Sequence, residues 1–211
     1  MLTDKTVSEF TALLASEAPA PGGGSTAGLM GALGVSLAAM VAALTVNKPR
    51  YAAYHQQMER VKAEADQLRV ALLDLIDADT EAFNQVTAAY ALPKTNDQEK
   101  LLRTDAIQAA LRGCTETPYE IMLASMRALR LTETALEGYN TNAASDLGVA
   151  ALALGAAMRA AWLNILINLS GITDPAFTTR YRADGQALLA DALPLSEKIY
   201  RTIIDTLCRL A

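Results

Sequence analysis

Apolar positions recur every three or four residues along most of this chain, the spacing of one face of an α-helix. Alternation with a period of two, the mark of half-buried strands, is absent. The pattern predicts seven helical stretches. The first, Thr6–Ala18, carries Val7, Phe10, Leu13 and Leu14 on one edge. Pro19-Ala20-Pro21-Gly22-Gly23-Gly24 breaks it. Ser25 or Gly24 is then expected to cap a second helix running to about Val46. Asn47-Lys48-Pro49 ends that helix, and a long one from Arg50 to Ala91 stops before Pro93. Two predicted helices follow, Asp97–Arg112 and Pro118–Glu137, with the break placed at Gly113. A turn at Gly138–Asn142 leads to a helix from Ala144 to Leu169 that closes on Ser170-Gly171. Asp174 is expected to cap the last stretch, with a break near Pro194. No linker or repeat divides the chain, so residues 1–211 read as one domain.

Two stretches are not amphipathic. Ser25–Val46 holds no charge and is long enough to span a bilayer, and Leu147–Met158 has the same small, apolar character. Ala and Gly dominate both, rather than Leu, Ile and Phe, and no aromatic belt flanks them. Arg159 interrupts the second, at a high cost in lipid. A helix apolar on every side also suits the centre of a bundle. The expectation is therefore no membrane span, but two helices packed on each other or on the same pair in a second subunit.

Composition narrows the class. The chain has 211 residues, 52% of them hydrophobic and 19% charged, so it folds rather than staying disordered. It is rich in alanine, the best helix former. The fold expected is all-α, an up-and-down bundle of long helices with the Gly/Ala-rich helix at its centre. A net charge of −5 and a pI near 4.9 argue against nucleic acid as a partner. Two cysteines and one histidine exclude a disulfide scaffold and a Cys/His metal site, and fit a cytoplasmic protein.

The candidate chemistry lies in four places. On the long third helix Val61, Ala65, Leu68, Leu72, Leu75/Ile76, Phe83 and Val86 form an apolar stripe, and Asp79 falls on its centre line. Asp74, Asp77 and Glu81 are expected on the opposite, wet side. A carboxyl on a core-facing stripe has its pKa raised unless it is paired, which makes it either a proton shuttle or a structural polar group. The loop Pro21-Gly22-Gly23-Gly24-Ser25 offers free N–H groups at a helix N-terminus, suited to an anion or a carbonyl, or only to a sharp turn. Asp146, Asn164 and Asn168 share a helix face along an alanine groove of Ala150, Ala153 and Ala157. The 18 residues between Asp146 and Asn164 span about 27 Å, so these two cannot meet one reacting atom. Lys48, Arg50 and Lys94 sit at helix ends, where they suit an anionic small molecule or the helix dipoles. His55, in a polar stretch, is expected to be solvated.

The motifs APAPGGGS (Ala18–Ser25), LTVNKPRY (Leu44–Tyr51), IDADTEAF (Ile76–Phe83), AYALPK (Ala89–Lys94), NTNAASDLGVAAL (Asn140–Leu152) and LNILINLSGITD (Leu163–Asp174) occur in this order along nearly the whole chain. In them the chain resembles the cyclodeaminase/cyclohydrolase family of folate one-carbon metabolism. Asn47 replaces a Gly usual there, and Tyr139 stands where the family commonly has Gly. The resemblance implies a homodimer, a tetrahydrofolate derivative as substrate, and no tightly bound cofactor or metal. It implies Asp79 as the catalytic acid/base. It also implies a folate-binding region made of Pro21, Gly22, Gly23, Gly24, Ser25, Lys48, Lys94, Ser145, Asp146, Asn164 and Asn168. The reaction it favours is cyclodeamination of 5-formiminotetrahydrofolate to 5,10-methenyltetrahydrofolate and ammonia. Hydrolysis of the methenyl bridge is the alternative. A non-catalytic helical dimerisation protein and a small membrane protein are the other readings of the residues.

Overall fold

The computed structural model describes residues 1–210. Six α-helices carry the fold: α1 (Val7–Leu14), α2 (Gly23–Val46), α3 (His55–Ala91), α4 (Asp97–Ala135), α5 (Ala144–Leu169) and α6 (Pro175–Leu210). Three short 3₁₀ turns, Leu2–Asp4, Pro49–Tyr54 and Thr141–Ala143, complete it, and no strand occurs among the described residues.

The apolar, small-residue helix α2 is the axis of the bundle, packed against α3, α4 and α5. α3 and α5 run antiparallel to it, and α4 runs parallel, with Gly28 meeting Ile121 and Gly31 meeting Ser125. Along α3 the partners are Gly24 with Asp79, Gly28 with Ile76 and Gly31 with Leu72. Along α5 they are Gly23 with Asn164 and Gly34 with Leu154. At Gly34 a Cβ would stand 2.7 Å from Leu154 Cγ, so a larger residue would force α2 and α5 apart. The two small-residue helices thus pack on each other, as expected. Ala150 and Ala157 are sealed in the core, so the predicted alanine groove is occupied rather than open. Both helices are long and apolar enough to cross a bilayer, but half of the most apolar stretch of α2 and 44% of that of α5 are buried inside the protein.

Several predicted boundaries shift. α1 is shorter, ending at Leu14, with Thr6 and Glu9 forming a reciprocal capping box. α2 is capped by Gly22, not by Gly24 or Ser25, so both lie inside its first turn. Residues Arg50–Tyr54 form a 3₁₀ turn before α3 begins at His55. α4 runs unbroken through Gly113 and Pro118, and α6 through Pro194. Packing overrides local breaking: Ala192, Ile199 and Ile203 flank Pro194 in α6 and are buried. The carbonyl that Pro194 leaves free belongs to exposed Ala190 and can be met by water. Asp174 does cap α6, its Oδ1 accepting from the amides of Ala176 (2.9 Å) and Phe177 (3.2 Å).

Candidate active site

The stripe of α3 is buried at Val61, Ala65, Leu68, Leu72 and Ile76, in steps of three and four. One further step of three reaches Asp79, which the stripe carries against the first turn of α2. There the Ser25 hydroxyl donates to Asp79 Oδ2 at 2.8 Å. Ser25 is fully buried. A Cβ on Gly24 would overlap the Asp79 carboxylate, so only glycine lets the helix end come this close. Burial pushes the Asp79 carboxyl above its usual range, while the Ser25 hydroxyl and amide pull it back down. The result is a carboxyl held between opposing influences, with a net push toward the protonated form that suits it to proton transfer.

Beside it lies a cavity of about 200 Å³. The loop supplies Pro19, Ala20, Gly22, Gly23 and Gly24. α3 supplies Asp79 and Phe83, α4 Cys114, and α5 Asn164, Ile167 and Asn168. Asn164 Nδ2 donates to the Ala160 carbonyl at 2.8 Å, and Asn168 Nδ2 to the Cys114 carbonyl at 2.6 Å. Burial, then the nearby Asp79 charge, pushes the Cys114 thiol up to about 11, so it stays protonated and is no nucleophile at neutral pH.

The predicted site residues therefore divide. Gly22, Gly23, Gly24, Ser25, Asp79, Asn164 and Asn168 converge at one end of the bundle, with buried Pro21 just behind the loop. Lys48, Ser145 and Asp146 lie at the other end, beyond the length of α2, about 36 Å by helix rise. Lys94 is exposed past the C-terminus of α3. Three further expectations are corrected. Phe83 is 39% exposed on the cavity wall rather than in the core. Asp77 is not free in water, because it accepts from the Leu2 amide (2.6 Å) and the Thr3 hydroxyl (2.9 Å). His55 is half-buried, its Nε2 3.1 Å from the Lys48 carbonyl.

Pro19, Ala20, Cys114 and Ile167 also line the cavity, beyond the residues expected there. Only Pro19 and Ala20, adjoining the glycine loop, carried a local signal. A larger cleft of about 670 Å³ between α3, α4 and α6 holds none of the predicted residues.

Residues 6–187 match the family described as Formiminotransferase-cyclodeaminase. The chain belongs to that family. It is 38% identical over 203 residues to a methenyltetrahydrofolate cyclohydrolase of Methylorubrum extorquens, covering 96% of this chain and 98% of that protein. It is 32% identical to the formimidoyltransferase-cyclodeaminase of Rattus norvegicus, over 90% of this chain but 35% of the rat protein. The crystal structure of a formiminotetrahydrofolate cyclodeaminase from Thermotoga maritima superposes with a TM-score of 0.82 at 29% identity, covering 100% of this chain and 99% of that one. The all-α bundle is thus a family architecture, and the Asp79 cavity is built within it.

Proposed function

We propose that this protein is a cytoplasmic folate enzyme acting on the 5,10-methenyl bridge of tetrahydrofolate, with Asp79 as the general acid/base. The observation that carries the reading is the half-buried Asp79 carboxyl, tuned by Ser25 beside a cavity. The end-to-end similarity to a methenyltetrahydrofolate cyclohydrolase makes hydrolysis of the bridge the leading reaction. In that reaction Asp79 takes a proton from water as its oxygen adds to the methenyl carbon. The protonated carboxyl then gives that proton to N5 as the carbon–N5 bond breaks. The hydroxyl proton leaves to solvent, so the products are 10-formyltetrahydrofolate and one proton. Asp79 contributes on the order of 10²–10⁴-fold to such a step.

Cyclodeamination, which the sequence favours, becomes the second reading, supported by the full-length likeness to the Thermotoga maritima cyclodeaminase. There N10 attacks the carbon of the protonated formimino group, and Asp79 carries the N10 proton to the amino nitrogen, which departs as ammonia and leaves the methenyl cation. Purified protein offered 5,10-methenyltetrahydrofolate and 5-formiminotetrahydrofolate separately decides between them. Hydrolysis removes the methenyl absorbance and cyclodeamination creates it. Acceleration of neither excludes both.

The acting unit is a homodimer in this reading. Leu33, Met40 and Leu44 of α2 and Val149, Leu163 and Ile167 of α5 stand exposed on neighbouring helices, a larger apolar surface than scattered side chains would make. Ile167 belongs both to this surface and to the cavity wall. The cavity of about 200 Å³ is also smaller than the roughly 300–1,000 Å³ of whole ligand sites, so one protomer encloses only part of a folate. A second copy laid antiparallel on this face would cover the cavity mouth and bring its own Lys48 end toward Asp79. Such a dimer would put the two separated groups of predicted residues on one substrate.

A further inference from the structure

Pro118 lies in the middle of α4 and is buried. A proline in a helix has no N–H for the carbonyl four residues back, and its ring pushes that carbonyl away from the axis. The carbonyl released is that of Cys114, whose residue lines the cavity. It does not go unpaired: Asn168 Nδ2, on α5, donates to it at 2.6 Å. A carbonyl only accepts, so this contact sets the carboxamide the right way round. The nitrogen faces α4 and Oδ1 is turned from it. Asn164, one turn earlier on the same face, likewise has its nitrogen turned to a backbone carbonyl, that of Ala160.

We propose that Pro118 is a positioning residue: by withholding a backbone donor from Cys114 it fixes Asn168 with its carbonyl oxygen as an acceptor for an N–H of the bound ring. The ligand recognised in this way is one with N–H donors along an edge, as a reduced pterin has. The inference rests on the folate reading above for its ligand, but not for its geometry. Pro118 never touches substrate, and acts through Cys114 and Asn168.

The test is a double-variant cycle on the full chain with 5,10-methenyltetrahydrofolate as the probe. Pro118→Ala restores an N–H that competes for the Cys114 carbonyl and draws it back to the helix axis. KM is expected to rise about tenfold, with kcat changed much less, the size of one hydrogen bond to a ligand. Asn168→Ala is expected to give a similar rise. The double variant is expected to be no worse than Asn168→Ala alone, because both changes remove one contact. In nitrogen-15 NMR spectra the Asn168 side-chain amide pair is expected to move in Pro118→Ala. Losses that multiply in the double variant, or an Asn168 amide pair that does not move, overturn the proposal. Wild-type protein inactive on folates removes the functional reading, while the NMR comparison still decides the geometry. Pro118→Val, closer in volume, replaces Pro118→Ala if the latter loses its cooperative melt, and is judged by the same outcomes.

Discussion

The hydroxyl of Ser25, in the first turn of α2, donates across 2.8 Å to Oδ2 of Asp79, 54 residues further along the chain on α3. This one bond ties the glycine loop to the carboxyl and partly offsets what burial does to its proton affinity. Ser25 pulls the Asp79 pKa down against the upward push of burial.

Ser25→Ala removes a donor from the ionised form only. The Asp79 pKa should rise further, so the fraction able to act as a base at a given pH falls. The acidic limb of the kcat/KM profile on the accepted folate is expected to move to higher pH. On that acidic limb kcat/KM should drop by roughly tenfold to a hundredfold, the loss of a hydrogen bond to a charged group. A limb that stays in place would show that Asp79 is not the group titrating.

Gly24→Ala should be folded yet strongly impaired. Its Cβ meets the Asp79 carboxylate, and a displacement of about 1 Å at a reacting group costs on the order of 10²-fold. Circular dichroism and turnover measured on one preparation check the pair of outcomes. Full activity would mean that the helix end does not need to approach the acid closely.

Asp79→Asn should trade activity for stability. The folded-state pKa of Asp79 lies above the ordinary carboxylate value, so the folded protein disfavours the charged form. By linkage, the stabilisation from protonating Asp79 is fully present below the unfolded pKa and is lost as pH rises through the folded one. The neutral amide escapes that loss. Asp79→Asn should therefore melt higher than wild type at pH 7 and show no such gain at pH 3.5. Each 1 kcal/mol is worth about 2–4 °C in a chain of this size. Calorimetry at the two pH values checks the sign, and turnover should fall by 10²–10⁴-fold.

Asp77→Ala should loosen the N-terminus. It removes the acceptor for the Leu2 amide and the Thr3 hydroxyl, which hold the first turn of the chain on α3. Limited proteolysis should cut ahead of α2 sooner than in wild type, and stability should fall by about 1–3 kcal/mol. An unchanged cleavage pattern would place the anchoring elsewhere, for instance at buried Phe10.

Leu33→Glu places a charge on the exposed apolar face of α2, where Leu33 is 57% exposed and has no core to lose. If a second copy covers that face, light scattering should report a monomer at concentrations where wild type is a dimer. Activity should fall with it. Equal masses for the two proteins would end the dimer proposal at this surface.

The helical character of nearly every element was legible from spacing alone, because a 3.6-residue period leaves its trace in any helix with one buried face. The same period placed Asp79 on the buried line of α3, and a run of small residues marked α2 and α5 as helices that approach closely. What local pattern could not supply was anything that depends on a partner far along the chain. Gly113 and Pro118 read as a break, yet α4 passes through both because its flanking faces are held by the bundle. Phe83 read as core because it continues the stripe, but the helices that cover α3 do not reach over it. Asp77 read as wet because its partners, Leu2 and Thr3, are about 75 residues away. The separation of Lys48, Ser145 and Asp146 from Asp79 likewise follows from α2 spanning the bundle. Period and composition, then, determined which residues lie on a buried face. Which of those faces meet, and so which side chains share the cavity, was decided by how α3, α4 and α5 pack along the roughly 36 Å of α2, where contact depends on register rather than on sequence distance.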